Sequence, residues 1–256
     1  MKNNLFDLTG RTALVTGGNK GLGKAMATAF AQAGADVMIA SRHADELKKT
    51  ADEIHAAAGS RVEYAVADMS RREDVLNLAD VAQKTMGKID ILVNNAGVNC
   101  PQPIDEIRNE DWDRLFEINV TSCMSLTRAL APGMKERLWG RVIFISSMLG
   151  LSSAAGRNAY SATKSALLGL ARATALDLGP FNITANCIAP GFFATDMPLS
   201  ILTQEQQQAV AAKSALNRWG RPDELAGPAL LLASEAGSYI TGSVLLVDGG
   251  TLAKVF

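Results

Sequence analysis

Thr12-Ala13-Leu14-Val15-Thr16-Gly17-Gly18-Asn19-Lys20-Gly21-Leu22-Gly23 passes from a short β-rich apolar run into a cluster of glycines, and an Ala-rich helical stretch continues to Ala33. Strand, glycine turn and helix in that order open a nucleotide-binding α/β unit. The glycines let the main chain approach a diphosphate, and the free N–H groups at the positive end of the helix face its charge. The spacing Gly17-x3-Gly21-x-Gly23 departs from the G-x-G-x-x-G dinucleotide fingerprint, so the strand-to-helix context carries the reading.

The same alternation recurs along the chain. Strands are expected at 36–40, 61–67, 89–93, 141–145, 183–188 and 244–247, with helices near 44–57, 71–86, 112–134, 160–178 and 222–234. Strands alternating with helices imply a parallel sheet covered on both faces. No Pro/Ser-rich linker, charge block or internal repeat divides the 256 residues, so one domain spanning 1–256 is expected.

Composition narrows the function classes. With 25 Lys and Arg against 26 Asp and Glu, scattered rather than striped, the chain lacks the basic face that nucleic acid binding needs. Asp7 falls where a signal peptide requires its apolar core, and the apolar run at 226–233 is too short to span a bilayer, so a cytoplasmic protein is expected. Cys100, Cys123 and Cys187 show no CxxC spacing, which fits reduced thiols and neither a disulfide framework nor a metal site. His43 and His55 lie in a polar helical stretch and read as surface residues.

In a parallel sheet, ligands gather at the carboxyl ends of the strands, and several residues fall there. The second strand ends in Ser41-Arg42, where an NAD site places a carboxylate on the ribose hydroxyl. That acid is missing. Arg42 offers a planar fork for a 2′-phosphate and Lys20 a second cation, favouring NADP; the other reading makes them a solvated helix-start residue and a loop charge. Asp68 follows the third strand and reads either as an adenine contact or as a helix cap. Asn94-Asn95-Ala96-Gly97 follows the fourth and suits a cofactor wall or an ordinary turn. Asn119 sits mid-helix, where an Asn is a mild penalty unless it binds a water or main chain beside a site. Ser146-Ser147 closes the fifth strand.

Tyr160-Ser161-Ala162-Thr163-Lys164 opens a long helical pattern, and side chains four apart share one helix face. A fixed ammonium beside a phenol favours the phenolate, which is what a tyrosine general acid/base requires.

Together, Gly17-x3-Gly21-x-Gly23, Asn94-Asn95-Ala96-Gly97, Asn119, Ser147, Tyr160-x3-Lys164 and Pro190-Gly191 resemble the short-chain dehydrogenase/reductase family over nearly the whole chain. The resemblance implies a single-domain, doubly wound Rossmann-type sheet of about seven parallel strands, and a catalytic tetrad of Asn119, Ser147, Tyr160 and Lys164. Ser147 is preferred to Ser146 because the family commonly sets its serine thirteen residues before the tyrosine. The implied cofactor set is Gly17, Asn19, Lys20, Gly21, Leu22, Gly23, Ser41, Arg42, Asp68, Met69, Asn95, Ala96, Gly97, Tyr160, Lys164, Pro190, Gly191 and Thr195. The expected cofactor is NADP, with NAD as the alternative, and no metal is expected. Ser147 and Tyr160 would hold a carbonyl oxygen, Tyr160 would supply its proton, Lys164 would support Tyr160 and bind the nicotinamide ribose, and Asn119 would hold a relay water. A homotetramer is also implied.

Residues 192–217 read as the longest irregular stretch and as a substrate lid, mixing Phe193, Met197, Leu199 and Ile201 with glutamines. For the substrate, a small hydroxylated molecule such as a sugar acid or polyol competes with a 3-oxoacyl carrier protein, whose reductase needs cations at its mouth. Counting from Ser147 and Tyr160, the positions those arginines would take hold Leu138 and Phe181, although Arg137, Arg141 and Arg172 lie close in sequence. A non-catalytic dinucleotide sensor or a scaffold are readings of another class; neither needs Ser147, Tyr160 and Lys164 together.

Overall fold

The computed structural model describes residues 4–195 and 202–254. Strands β1 (Thr12–Thr16), β2 (Asp36–Ser41), β3 (Val62–Val66), β4 (Ile91–Asn94), β5 (Gly140–Ile145), β6 (Ile183–Pro190) and β7 (Val244–Val247) form one sheet in the order β3-β2-β1-β4-β5-β6-β7. All six neighbouring pairs are parallel. This is the doubly wound, Rossmann-like arrangement expected from the alternation of elements.

Helices α1 (Gly21–Gln32), α2 (Ala44–Ala58), α3 (Arg72–Met86), α4 (Asn109–Phe116), α5 (Ser122–Glu136), α6 (Asn158–Leu178), α7 (Gln204–Ala211) and α8 (Ala226–Ala233) complete the described elements. Every residue of β1, β4, β5 and β6 is buried, as strands covered on both faces must be. Alternate side chains feed two cores. Leu14, Met38, Leu92, Val142 and Phe144 pack with residues of α3, α5 and α6, while Val15, Val37, Ile39, Val93 and Ile143 pack with residues of α1, α2 and α8.

The strand order reverses between β1 and β4, and parallel strands bring every carboxyl end to the same edge. The crevice at that reversal is where such sheets bind ligands. The loops after β1, β2, β3, β4, β5 and β6 therefore meet above one edge, although their residues are far apart in sequence.

Three expectations need correction. The stretch 192–217 is not irregular throughout, because α7 lies within it and is fixed by a capping box between Thr203 and Gln206. Phe193 is not a lid side chain: it is buried in the core and pairs with Gly220. Met197, Leu199 and Ile201 lie outside the described residues. The helix expected over 222–234 starts as a 3-10 turn, Pro222–Leu225, before α8.

The opposite edge is tied by Asp90, which is 1% exposed. Its carboxylate accepts the Thr12 N–H and pairs with Lys88 at 2.9 Å and Arg137 at 3.1 Å. Removing it would leave two cations facing a buried space at the start of β1 and β4. Asp90→Ala should cost about 3 kcal/mol of stability, read as a lowered denaturant midpoint, with activity per folded molecule retained because the site lies at the other edge.

Candidate active site

Thr16 and Asn95 stitch the two strand ends that flank the crevice. The Thr16 hydroxyl accepts the N–H groups of Asn95 and Ala96, each at 3.0 Å, and the Asn95 amide donates to the carbonyls of Thr16 at 2.8 Å and Gly17 at 3.2 Å. Asn95 thus braces the glycine turn from behind.

The turn has no room for side chains. At Gly17, with φ of 63°, a Cβ would lie 2.8 Å from the Asn95 amide nitrogen, and at Gly23 it would run into the Gly17 carbonyl oxygen. Behind this bare main chain α1 begins with Lys20 as its N-cap. It has neither a capping side chain nor an acid in its first turn, whereas α2, α3 and α4 each carry two acids there. The first-turn N–H groups are left for an external anion. A Cβ at Gly21 would touch Thr195 Cγ2 at 3.3 Å, so Thr195 lies across the turn. The Asn19 side chain is turned to α2, donating to Glu46, and its carbonyl accepts from Thr50 at 2.8 Å. Asn19 therefore anchors the turn.

At the end of β2 the Ser41 hydroxyl is buried and has no hydrogen-bond partner. Arg42 beside it is exposed. Burial pushes the Asp68 carboxyl up, but the N–H and hydroxyl of Ser70 and the charges of Arg42 and Arg114 outweigh it, so Asp68 titrates below the usual carboxylate range. Met69 packs into the core below. Pro190 ends β6, and a Cβ at Gly191 would lie 2.6 Å from Asp248 Cα, so the chain leaves β6 pressed against the end of β7.

The second half of the site is built on α6. Asn158–Leu178 runs 21 residues, and its first turns carry Tyr160 and Lys164 on one face, with the Lys164 ammonium 5.7 Å from the Tyr160 ring centroid. Lys164 is only 4% exposed, and its Nζ donates to the Ile145 carbonyl at 2.8 Å. The two serines after β5 differ in what binds them. Ser146 donates to the Lys164 main-chain carbonyl at 2.8 Å, whereas Ser147 Oγ accepts the Leu149 N–H at 3.1 Å, which leaves the Ser147 hydroxyl proton free to donate.

The helix expected over 112–134 is interrupted. Between α4 and α5 the residues Glu117–Thr121 form a π-helical turn with Asn119 inside it, the kind of bulge that recurs at functional sites. Asn119 is fully buried. Its Oδ1 accepts the Val98 N–H at 2.9 Å and its amide donates to the Val98 carbonyl at 2.9 Å and to Thr163 at 3.1 Å. A Cβ at Gly97 would lie 3.3 Å from both Asn119 Oδ1 and Lys164 Nζ. Asn119 and Lys164 thus converge from two helices on the bare main chain after β4.

A family model described as enoyl-(acyl carrier protein) reductase matches residues 17–251. Gluconate 5-dehydrogenase of Gluconobacter oxydans (strain 621H) is 36% identical over 247 residues, covering 96% of each chain. The 3-oxoacyl acyl-carrier-protein reductase of Aquifex aeolicus (strain VF5) is 35% identical over 243 residues, 95% of this chain and 98% of its own. The chain belongs to the short-chain dehydrogenase/reductase family. Two solved members superpose on it closely. A gluconate 5-dehydrogenase from Burkholderia cenocepacia J2315 in complex with NADP and tartrate gives a TM-score of 0.92 at 32% identity, covering 98% of this chain and 99% of the other. A 7α-hydroxysteroid dehydrogenase complexed with NADH and 7-oxo glycochenodeoxycholic acid gives 0.93 at 36%, covering 98% and 97%.

Within this short-chain dehydrogenase/reductase chain, two cysteines lie near the site without facing it. Burial pushes the Cys123 thiol to about 11 and the Cys187 thiol to about 12, against the pull of the Lys164 charge on both. Each thiol donates to a carbonyl, Cys123 to Asn119 and Cys187 to Leu167. Cys100 is half-buried and free. A thiol reagent at pH 8 should label one cysteine per folded chain and three after unfolding. Both raised values lie above the unfolded thiol value of about 8.5, so the stability they contribute is full below that pH and lost as pH rises toward 11 and 12, measurable as a falling melting temperature.

Proposed function

We propose that this chain interconverts a secondary alcohol and a ketone with an NADP-preferring site, acting on a small hydroxylated substrate, with the sugar acid 5-keto-gluconate as the first compound to test. The reading rests on buried Lys164, whose ammonium lies 5.7 Å from the Tyr160 ring and bonds to the Ile145 carbonyl two residues before Ser147, and on a glycine turn with no room for a Cβ at Gly17 or Gly23 and no capping acid. The cradle fits a dinucleotide: the turn and the first-turn N–H groups of α1 would hold its diphosphate, Thr195 and Gly191 its nicotinamide side, and Asn95, Ala96 and Gly97 its wall. When bound, the nicotinamide supplies or accepts the hydride.

The chain's own residues do the rest. Tyr160 gives its proton to the carbonyl oxygen in reduction and takes it back in oxidation. Ser147, its lone pair engaged by Leu149, donates to the same oxygen. Lys164 holds a positive charge under Tyr160 and has donors left for a ribose hydroxyl. The Asn119 amide is spent on Val98 and Thr163, so its share in a relay rests on the second lone pair of Oδ1, which sits with Lys164 Nζ beside Gly97. Apart from the buried Phe193, residues 192–217 serve as the lid.

NADP preference rests on Arg42, Lys20 and the unpartnered Ser41 hydroxyl at the end of β2, where no acid stands. Asp68 takes part of the Arg42 charge, which moderates the preference without reversing its sign. The relatives include both an NADP and an NADH complex, so residues rather than similarity decide this point.

The second reading, reduction of a carrier-bound 3-oxoacyl group, has relatives of similar identity. Charge placement disfavours it. Leu138 and Phe181 are apolar, Arg137 is spent on Asp90 and the Ile89 carbonyl, and Arg141 is buried against Glu235 and Trp139. Of the three nearby arginines only Arg172 is exposed and unpaired among the described residues, too little to hold an acidic carrier protein. A homotetramer in the cytoplasm completes the reading, with the sheet-edge strand β7 and the exposed Tyr239 and Leu246 as candidate contacts.

One assay panel tests this, with NADPH and NADH against keto sugar acids, diketones, polyols and acetoacetyl thioesters. Turnover of keto sugar acids is expected, and Tyr160→Phe should bind cofactor yet lose about 10²–10⁴-fold in kcat. Near-normal turnover in that variant removes the tetrad assignment, and salt-sensitive reduction of carrier thioesters alone removes the substrate class. In binding titrations Arg42→Ala should lower the NADP-to-NAD affinity ratio about tenfold or more; an unchanged ratio refutes the role of Arg42.

A further inference from the structure

Covering an arginine without a partner is costly, and the partly covered arginines here obey that rule with one exception. Among the described residues, Arg11, Arg141 and Arg157 are the arginines that are not exposed. Arg11 and Arg141 both reach Glu235 and stack on Trp139, at 3.6 Å and 4.2 Å from the ring. Among the described residues, the Arg157 side chain has no hydrogen bond, ion pair or ring contact.

Its main chain, in contrast, is firmly held. The Arg157 N–H donates to Ala154 at 3.1 Å, its carbonyl accepts from Ser161 at 2.7 Å, and it pairs with Gln102 of the loop after β4. Arg157 is the N-cap of α6, three residues before Tyr160. That helix end has no capping side chain and no acid in its first turn, so helix dipole and guanidinium both favour an anion. The Asp111 carboxylate, in the first turn of α4, is taken by Gln102 at 2.7 Å and Arg108 at 2.6 Å. Residues 151–155, between Ser147 and Arg157, are exposed throughout, so this wall opens to solvent.

We propose that Arg157 receives the carboxylate of the substrate, making keto and hydroxy acids the preferred class over neutral polyols; the inference rests on the small-substrate reading above. A planar fork binds a carboxylate bidentately and fixes its orientation. Arg157 is the N-cap of the helix whose first turn carries Tyr160, three residues on. An acid whose carboxylate is a few carbons from the reacting carbon would span from Arg157 to Tyr160.

The test compares wild type, Arg157→Gln and Arg157→Lys on 5-keto-gluconate and on a neutral keto sugar of the same carbon count. Tartrate serves as a competing dicarboxylate. In Arg157→Gln the acid-to-neutral ratio of kcat/KM should fall about 10–100-fold, mainly through KM, and tartrate inhibition should weaken by a similar factor, with Lys restoring part of both. Equal losses on both substrates, or an unchanged ratio, overturn the assignment. If the enzyme reduces only carrier thioesters, the small-substrate reading has failed. Arg157 is then judged by tartrate alone: weaker inhibition in Arg157→Gln upholds an anion site there, and equal inhibition removes it.

Discussion

A lysine ammonium held at 4% exposure is the constraint on which the rest of the site depends. Burying that charge is tolerable only where it is held and hydrogen-bonded, and the chain confines it from three directions. The end of β5 supplies the Ile145 carbonyl to Nζ, Ser146 pins the Lys164 main chain to the same strand end, and the loop after β4 approaches closely because Gly97 has no side chain. One acceptor for three donors leaves two for whatever the site binds. A position that holds a cation in place while leaving donors unused is poised for polar ligands.

Asn119 shows how such an arrangement is kept from collapsing. An unbroken helix would carry its side chain past the loop at the wrong height; the π-helical turn Glu117–Thr121 adds a residue to one turn and shifts the side chain's position on the helix. The amide then grips Val98 through both its N–H and its carbonyl, as a neighbouring strand would. The loop after β4 is thus held on one side by Asn119 and on the other by the Asn95 and Thr16 bonds, with Gly97 between them.

How much of this the sequence disclosed depends on the range of the interaction. Local signals were legible: strand-turn-helix at Thr12–Gly23, alternation of elements, and the i,i+4 pairing of Tyr160 and Lys164. Relations set by distant partners were not. The π turn leaves no mark in helical periodicity, and the burial of Met69 and Phe193 follows from packing against distant elements. The helix within 192–217 did carry a signal, the Thr203-Gln204-Glu205-Gln206 capping box, which the glutamine-rich composition obscured. The three arginines near the expected carrier site looked equivalent as residue types. Only partners separate them, and by the same test Arg157 stands apart although its sequence surroundings are unremarked.

Those partners also give the sheet an electrical polarity. At the edge where strands begin, cations are matched: Lys88 and Arg137 meet Asp90, and Arg11 and Arg141 meet Glu235. At the edge where strands end, Lys20, Arg157 and Lys164 have no ion-pair partner among the described residues, Arg42 has only the field of Asp68, and the N-termini of α1 and α6 add partial positive charge without capping acids. A net charge of −1 conceals this, because it sums over both edges. The unmatched cations sit on separate segments, each too short to register as a basic stretch, and become one positive field only because parallel strands bring their ends together. Fields of that kind concentrate anionic ligands at a cleft. The fold is therefore what converts scattered, nearly neutral sequence into a crevice whose charge favours anions.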